Sequence, residues 1–268
     1  MWLCRVFRVS KSGYYRHIKR KITKREIENE ILSEKIQKIF YEHRRRYGCR
    51  RIKRVLSQEG IQISKKRVST FMYKANLIPK GTSYRYRKSK ALKFAHDNLI
   101  NQNFNITEKN TIWFGDITYI PTREGTIYLS VFIDGFTRKC VGYSIDTHMR
   151  EQLVLDSFND ALQKQNPSKG LIVHTDQGSQ YTGMAFVDLL RKHHFIPSNS
   201  RKGNPYDNAM MESFYKTFKR EVMPSRMFKT RAEAKLEILQ YVSLYYNEKR
   251  HHSSLDYMTP SDFDILNS

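Results

Sequence analysis

Three runs near the middle of the chain, TIWFGDITYI, TIYLSVFID and RKCVGYSID, are dense in β-branched and aromatic residues, and only short turn-forming stretches at Gly125 and at Gly135 to Arg138 separate them. Such residues favour a pleated, half-buried surface, and connections this short join antiparallel neighbours. The runs predict three consecutive antiparallel strands. Downstream the period lengthens. Leu153, Leu155, Phe158 and Leu162 predict a helix over roughly 150–164, LIVHTD a short strand, and Phe186, Val187, Leu189 and Leu190 another helix. A further short strand is expected near Phe195 and Ile196, a helix from about Asp207 to Val222, and a last helix from Thr230, where Thr230 and Glu233 read as a capping box.

Three strands, a helix, a strand, a helix and a strand is the order of an α/β, RNase-H-like mixed sheet flanked by helices, placed here at 110–268. The order alone is permissive. The region before it is different in kind. Residues 1–100 hold 28 Lys and Arg against 7 Asp and Glu, whereas 101–268 hold 20 against 19. Unpaired like charges destabilise a compact fold, so the front of the chain calls for a polyanion, and nucleic acid is the first candidate. Residues 1–78 read as a small all-α basic region. Ile27, Ile31, Ile36, Ile39 and Phe40 form a rough helical stripe, and 48–78 read as helix, turn, helix. Ile52, Val55 and Leu56 precede a break at Gly60. Ser64 is then a good N-cap for a helix with Val68, Phe71, Met72 and Ala75 on one face. Lys65, Lys66 and Arg67 oppose the dipole of that helix, but suit an N-terminal end pointed at phosphates. An ordinary basic helical hairpin is the other reading. Residues 79–109 read as a basic linker in which Tyr84 and Tyr86 alternate with Arg85, Arg87 and Lys88, a pattern suited to sugars, bases and phosphates or simply to a solvated hinge.

Three acids stand where solvated acids are not expected. Asp116 lies inside an apolar strand, Asp176 directly follows LIVH, and Glu212 lies on a helix. A buried carboxylate must be paired or bind a metal. Magnesium takes hard oxygen ligands, few of them from protein, and two such ions drive in-line phosphoryl displacement. Met211, Phe214, Tyr215, Phe218 and Val222 follow the core period of the last of these elements, leaving Asn208, Glu212, Lys216 and Lys219 on a polar face. Taken alone, that helix is equally an exposed amphipathic one carrying Glu–Lys pairs.

WFGDITYI around Asp116, HTDQGSQY around Asp176, GNPYDNAMMESFYKTFKRE around Glu212 and the tail YYNEKRHHSSLDYMTP resemble the integrase-type catalytic domain of bacterial insertion-sequence transposases, in particular the larger frame (OrfB) of the insertion sequence 3 family. Thirty-five residues separate Asp176 from Glu212, and Lys219 stands seven after the glutamate, as in that family. YGCRRIKRVL, carrying Arg50 and Arg51, and ISKKRVSTFM resemble its helix-turn-helix segment, and CRVFRVSKSGYYR its amino-terminal piece. The resemblance covers nearly the whole chain. It implies a DDE triad of Asp116, Asp176 and Glu212 holding two Mg²⁺ or Mn²⁺ ions, cleavage of double-stranded DNA at element ends, and strand transfer by a 3′-hydroxyl. It also implies a homo-multimer on DNA and, as a fusion partner, the helix-turn-helix and leucine-zipper protein of an upstream frame. DNA contacts are expected at Arg50, Arg51, Lys65, Lys66, Arg67, Arg85, Arg87, Lys216 and Lys219. A non-enzymatic DNA-binding regulator and an RNase-H-like nuclease without strand transfer are the rival readings.

Cys4, Cys49 and Cys140 match no zinc spacing and fit a reducing cytoplasm, and no apolar run is long enough to span a bilayer. No Walker-type loop predicts ATP use. His174 is expected to be structural or to contact phosphate, Gln177 to be free to touch DNA, and Tyr245, Tyr246, Asn247 and Arg250 to combine core aromatics with a surface cation.

Overall fold

The computed structural model describes residues 6, 10–18, 23–80, 96–201, 204–223 and 227–267. The chain divides into two compact units, Met1–Pro79 and Lys80–Ser268.

In the first unit, α1 spans Lys11–Ile18, α2 Lys24–Glu42, α3 Cys49–Gln58 and α4 Lys65–Lys74. Thr23 and Glu26 form a reciprocal capping box that starts α2. At the start of α4 the Ser64 hydroxyl accepts the Arg67 N–H at 3.1 Å, as expected of a serine N-cap. The core comes from Leu32, Ile36, Ile39 and Phe40 of α2, Ile52 and Leu56 of α3, and Val68 and Met72 of α4. Ile27 and Ile31, expected in the α2 stripe, are instead about half exposed, and Leu32 takes the inward place. Leu32, Ile36, Ile39 and Phe40 keep the i, i+4, i+7, i+8 spacing of one helix face, whereas Ile31 stands five residues before Ile36 and so points about 140° away from it.

The second unit is built on a five-stranded sheet of order β3-β2-β1-β4-β5. β1 spans Ile112–Thr122, β2 Gly125–Asp134 and β3 Cys140–Asp146, all antiparallel neighbours. Asp134 closes the β2–β3 turn by accepting N–H bonds from Phe136 and Thr137. α5 (Glu151–Gln165) crosses to β4 (Ile172–Thr175), which runs parallel to β1. The short α6 (Ser179–Thr182) and α7 (Met184–Lys192) lead to β5 (Ile196–Asn199), parallel to β4. A 3₁₀ turn at Pro205–Asn208 opens α8 (Ala209–Val222), followed by α9 (Arg231–Tyr241), a π turn at Val242–Tyr246 and α10 (Pro260–Leu266). At α9, Thr230 caps the Glu233 N–H, but the Glu233 carboxylate accepts the N–H of Lys229 rather than that of the cap residue. No helix among the described residues is long and apolar enough to cross a membrane.

Trp113, Phe132, Val154, Phe158 and Phe186 form the apolar layer between the sheet and α5 to α7. Two glycines let that layer close. The Phe132 ring lies over its cross-strand partner Gly115, where a Cβ would come within 2.3 Å of it. β3 approaches α5 so closely at Gly142 that a Cβ would sit 2.3 Å from the Ser157 carbonyl oxygen.

Both outer edges of the sheet are covered. On β3, the Asn247 amide exchanges two 2.9 Å hydrogen bonds with the backbone N–H and C=O of Cys140, and Asp160 accepts the Tyr143 N–H at 3.1 Å. Along β5 run residues 96–103, expected as the end of a linker. Asn199 Oδ1 accepts the His96 N–H at 2.9 Å, and Ser198 Oγ accepts that of Leu99 at 3.0 Å.

The aromatics Tyr245 and Tyr246 are buried as expected, but Arg250 is no surface cation. It is 4% exposed, and its guanidinium donates to both oxygens of Glu221 on α8 at 3.0 to 3.2 Å. Tyr241 donates a further bond to the same carboxylate at 3.0 Å. A charge this deep is tolerated because its partner is equally buried and fully hydrogen-bonded.

Gly142→Ala is expected to lower the unfolding free energy by about 1–3 kcal/mol or more, because the nearest atoms are helix backbone and cannot swing aside. Urea denaturation followed by circular dichroism measures this.

Candidate active site

The sheet register brings the first two acids together. Phe114 of β1 pairs with His174 of β4 in a parallel ladder. Asp116 lies two residues further along β1, and Asp176 directly follows Thr175, the last residue of β4, so both acids lie just beyond the paired stretch at the same end of neighbouring strands. Both are half-buried. The third acid comes from α8. Tyr215 on that helix donates its phenol O–H to the backbone carbonyl of Asp116 at 2.5 Å and to that of Leu129 at 3.2 Å. Glu212, in the first turn, is three residues before Tyr215 and on a neighbouring face.

The electrostatics record this convergence. Burial pushes the Asp116 carboxyl well above the usual carboxylate range. The charge of Asp176, and more weakly that of Glu212, adds to the shift, while the Ile117 N–H and Lys219 oppose it. Burial also raises Asp176, whose Oδ1 accepts the Gly178 N–H at 2.9 Å. Lys219 is buried rather than free on the surface. Its ammonium lies 4.6 Å from the Tyr119 ring centroid, and its pKa is lowered by burial and supported by Asp116.

Among the described residues, no three acidic, histidine or cysteine side chains close on one point as a finished metal cage. The adjacent aspartates fit a hard divalent cation in the way usual for magnesium, with one or two carboxylates from protein and the remaining places filled by water and phosphate. A cleft of about 330 Å³, lined by Phe104, Arg138, Met210, Ser213, Thr217 and His252 among others, contains none of the three acids.

A polar layer holds the aspartates from behind. His174 is fully buried between the hydroxyls of Ser198 (Nδ1, 2.9 Å) and Ser200 (Nε2, 3.1 Å), and burial lowers its pKa to about 4. Of the two roles expected for it, the geometry supports the structural one. Asn199 donates to the Asp176 carbonyl at 3.0 Å, and Gln177, expected to be free for DNA, donates to the Ser200 carbonyl at 2.8 Å. Sequence reasoning passed over Ser198, Asn199 and Ser200. Their only signal was small polar residues ending a strand.

The expected DNA-contact residues fall into different settings. Arg50, Lys65, Lys66 and Lys216 are exposed. Arg51 lies over the Tyr47 ring, 5.4 Å from its centroid. Arg67 is engaged within its own unit, 2.9 Å from both the Glu28 carboxylate and the Asn29 amide oxygen of α2. Arg85 and Arg87 lie outside the described residues.

Residues 106–205 match a family model described as Integrase core domain, 194–260 a second with the same description, and 26–88 one described as HTH-like domain. The HTLV-2 integrase catalytic core domain in complex with magnesium is a structural neighbour (TM-score 0.42, 15% identity, 57% of this chain and 95% of that one). Another is the catalytic core domain of BIV integrase (TM-score 0.41, 13% identity, 59% of this chain and 95% of that one). Relatives of known sequence are far more similar. The transposase for insertion sequence element IS904 of Lactococcus lactis subsp. lactis (strain IL1403) is 52% identical over 93% of this chain and 99% of its own length. The insertion element IS600 uncharacterized 31 kDa protein of Shigella sonnei is 35% identical over 97% of both chains. Transposase InsF for insertion sequence IS3A of Escherichia coli (strain K12) is 32% identical over 99% of this chain and 93% of its own length. With identity sustained at this level along nearly the full length of both partners, the chain belongs to the IS3 family of insertion-sequence transposases.

Proposed function

We propose that this transposase cleaves double-stranded DNA at insertion-sequence ends and transfers the freed 3′-hydroxyl into target DNA, with Asp116, Asp176 and Glu212 as the catalytic, metal-holding triad. The observation that carries the proposal is that Asp116 on β1 and Asp176 directly after the parallel β4 lie at the same end of that strand pair, with the Asp116 carboxyl pushed up by burial and by the charge of Asp176. Such a pair is poorly suited to a bare pocket and well suited to Mg²⁺ or Mn²⁺.

Two divalent ions held there supply activation of the attacking oxygen and stabilisation of the leaving one. The protein contributes position and charge. The Asp176 backbone is fixed by Asn199, and the Asp116 backbone by Tyr215, so both carboxylates are presented from rigid elements. Water attacks the phosphodiester at the element end, breaking the P–O3′ bond and leaving a 3′-hydroxyl. That hydroxyl attacks a target phosphodiester, exchanging one P–O bond for another, so no covalent enzyme intermediate and no ATP is needed. Lys216, exposed on the helix of Glu212, is a phosphate contact in this reading. Arg50, Lys65 and Lys66 grip duplex DNA through the helix-turn-helix, with the Arg85 and Arg87 segment as a further contact. The active species is a homo-multimer that pairs two ends, with the upstream-frame protein as fusion partner.

Asp116→Asn, Asp176→Asn and Glu212→Gln are each expected to abolish strand transfer from pre-cleaved ends while keeping affinity for duplex DNA, as gel assays of joining and binding can establish. Joining at the wild-type rate by any of the three refutes the triad.

A stability signature accompanies this. A carboxyl whose folded pKa is raised stabilises the fold below its unfolded pKa, and this stability is lost as pH rises through the folded value. Near neutral pH and without metal, Asp116→Asn is therefore expected to raise the melting temperature by about 2–4 °C, the shift that accompanies roughly 1 kcal/mol in a domain of this size. Divalent metal should stabilise the wild type and not the variant, as differential scanning calorimetry will report.

Lys65→Gln with Lys66→Gln is expected to flatten the salt dependence of DNA binding by roughly 0.9 log–log units per lost phosphate contact. Arg67→Gln should instead lower the melting temperature, since it breaks the brace to Glu28. Fluorescence anisotropy across a salt series separates the two.

A further inference from the structure

Between β5 and α8 the chain closes on a single carboxylate. Asp207 is 0% exposed. Its oxygens accept five hydrogen bonds. Arg201 donates three, from its backbone N–H at 2.8 Å and from Nε and Nη2 at 2.9 Å each. Asn204 and Gln102 donate one each at 3.1 Å. The Arg201 guanidinium, first among these, holds the carboxyl well below the ordinary range, so it is charged throughout the working pH.

The clamp joins three pieces of chain. Arg201 stands where β5 ends, Asp207 sits in the 3₁₀ turn that opens α8, and Gln102 comes from the segment lying along β5. Gln102, which reaches Asp207, has a left-handed backbone (φ 63°), and so has its neighbour Asn101 (φ 46°), whose N–H donates to the Asn98 side chain. Next to Asp207, Asn208 is the N-cap residue of α8 yet makes no capping bond, and its buried Oδ1 has no hydrogen-bond partner. The 3₁₀ turn that runs into α8 is capped one turn earlier by Asn204, whose Oδ1 accepts the Tyr206 N–H at 3.2 Å and whose Nδ2 donates to Asp207. The start of α8 is thus set by that cap and the clamp together.

We infer that Asp207 is a positioning residue for the reaction: through Arg201, Asn204 and Gln102 it fixes the turn that launches α8, and so places Glu212 opposite Asp116 and Asp176. The inference rests on the role proposed above for Glu212. Asp207 acts through the helix and does not touch the reacting atoms. Removing its charge loosens the register of the first turn, and with it the third ligand that completes the site for divalent cation.

The test uses the full chain with Mn²⁺ as probe and two readouts, namely the Mn²⁺ concentration giving half-maximal thermal stabilisation without DNA, and strand transfer from pre-cleaved ends. Asp207→Asn and Arg201→Lys are expected to raise the Mn²⁺ midpoint by about tenfold, with a matching loss of joining and unchanged DNA affinity, and Asp207→Glu to restore part of both. A role confined to loop stability would lower the metal-free melting temperature and leave the midpoint within about twofold of wild type, which overturns the inference. Should Asp207→Asn fail to fold, Arg201→Lys and Arg201→Ala decide by the same criterion, since the Arg201 side chain is 54% exposed. Glu212→Gln separates the two levels of argument. If it joins DNA normally, the triad assignment falls and the inference with it. If it is inactive while the Asp207 and Arg201 variants keep a wild-type midpoint, the inference alone fails.

Discussion

Two carboxylates at the same end of neighbouring parallel strands repel each other, and burial makes the repulsion harder to relieve. That constraint organises the second unit. Asp116 is held in β1 by its pairing with Val131 of β2, and Asp176, just past β4, by the Asn199 bond to its carbonyl. The protein offsets part of the repulsion with the Ile117 and Gly178 N–H groups and the buried Lys219. It does not remove it. What remains is an unrelieved repulsion beside the central strands β1 and β4, held in a fold that spends stability to keep it.

Much of the surrounding structure serves to keep those strands from yielding. His174 is locked between two serines, Asn199 holds the Asp176 carbonyl, and Tyr215 binds the carbonyl of Asp116. Further out, the Glu221–Arg250 ion pair ties the far end of α8 to the tail of the chain. The helix bearing Glu212 is therefore anchored at its start by Asp207, at its middle by Tyr215 and at its end by Glu221. These anchors are polar and directional, and they act beside the buried apolar face of the same helix, Met211, Phe214, Phe218 and Val222.

The parts of this arrangement legible in the sequence were those with local causes. β-branched runs with short turns marked β1 to β3, and the serine cap and apolar period marked α3 and α4. An aspartate inside an apolar strand stood out because its neighbours gave it no water. Features whose partners are remote in the chain were not legible. Gln102 and Asp207 are 105 residues apart, and Arg67 and Glu28 are 39 apart, so nothing near either marks the pair. Arg250 read as a surface cation because its buried partner lies 29 residues upstream on another helix. The segment 96–103 read as linker because its hydrogen bonds go to β5 and leave no periodicity in its own sequence.

The covered sheet edges have a consequence for how copies of this chain meet. At β3 the Asn247 amide and the Asp160 carboxylate occupy backbone positions that an incoming strand would need, and at β5 the segment 96–103 does the same. Unpaired edges are the usual template for recruiting another chain's backbone. With these backbone groups already engaged, pairing of a foreign strand is disfavoured at both edges.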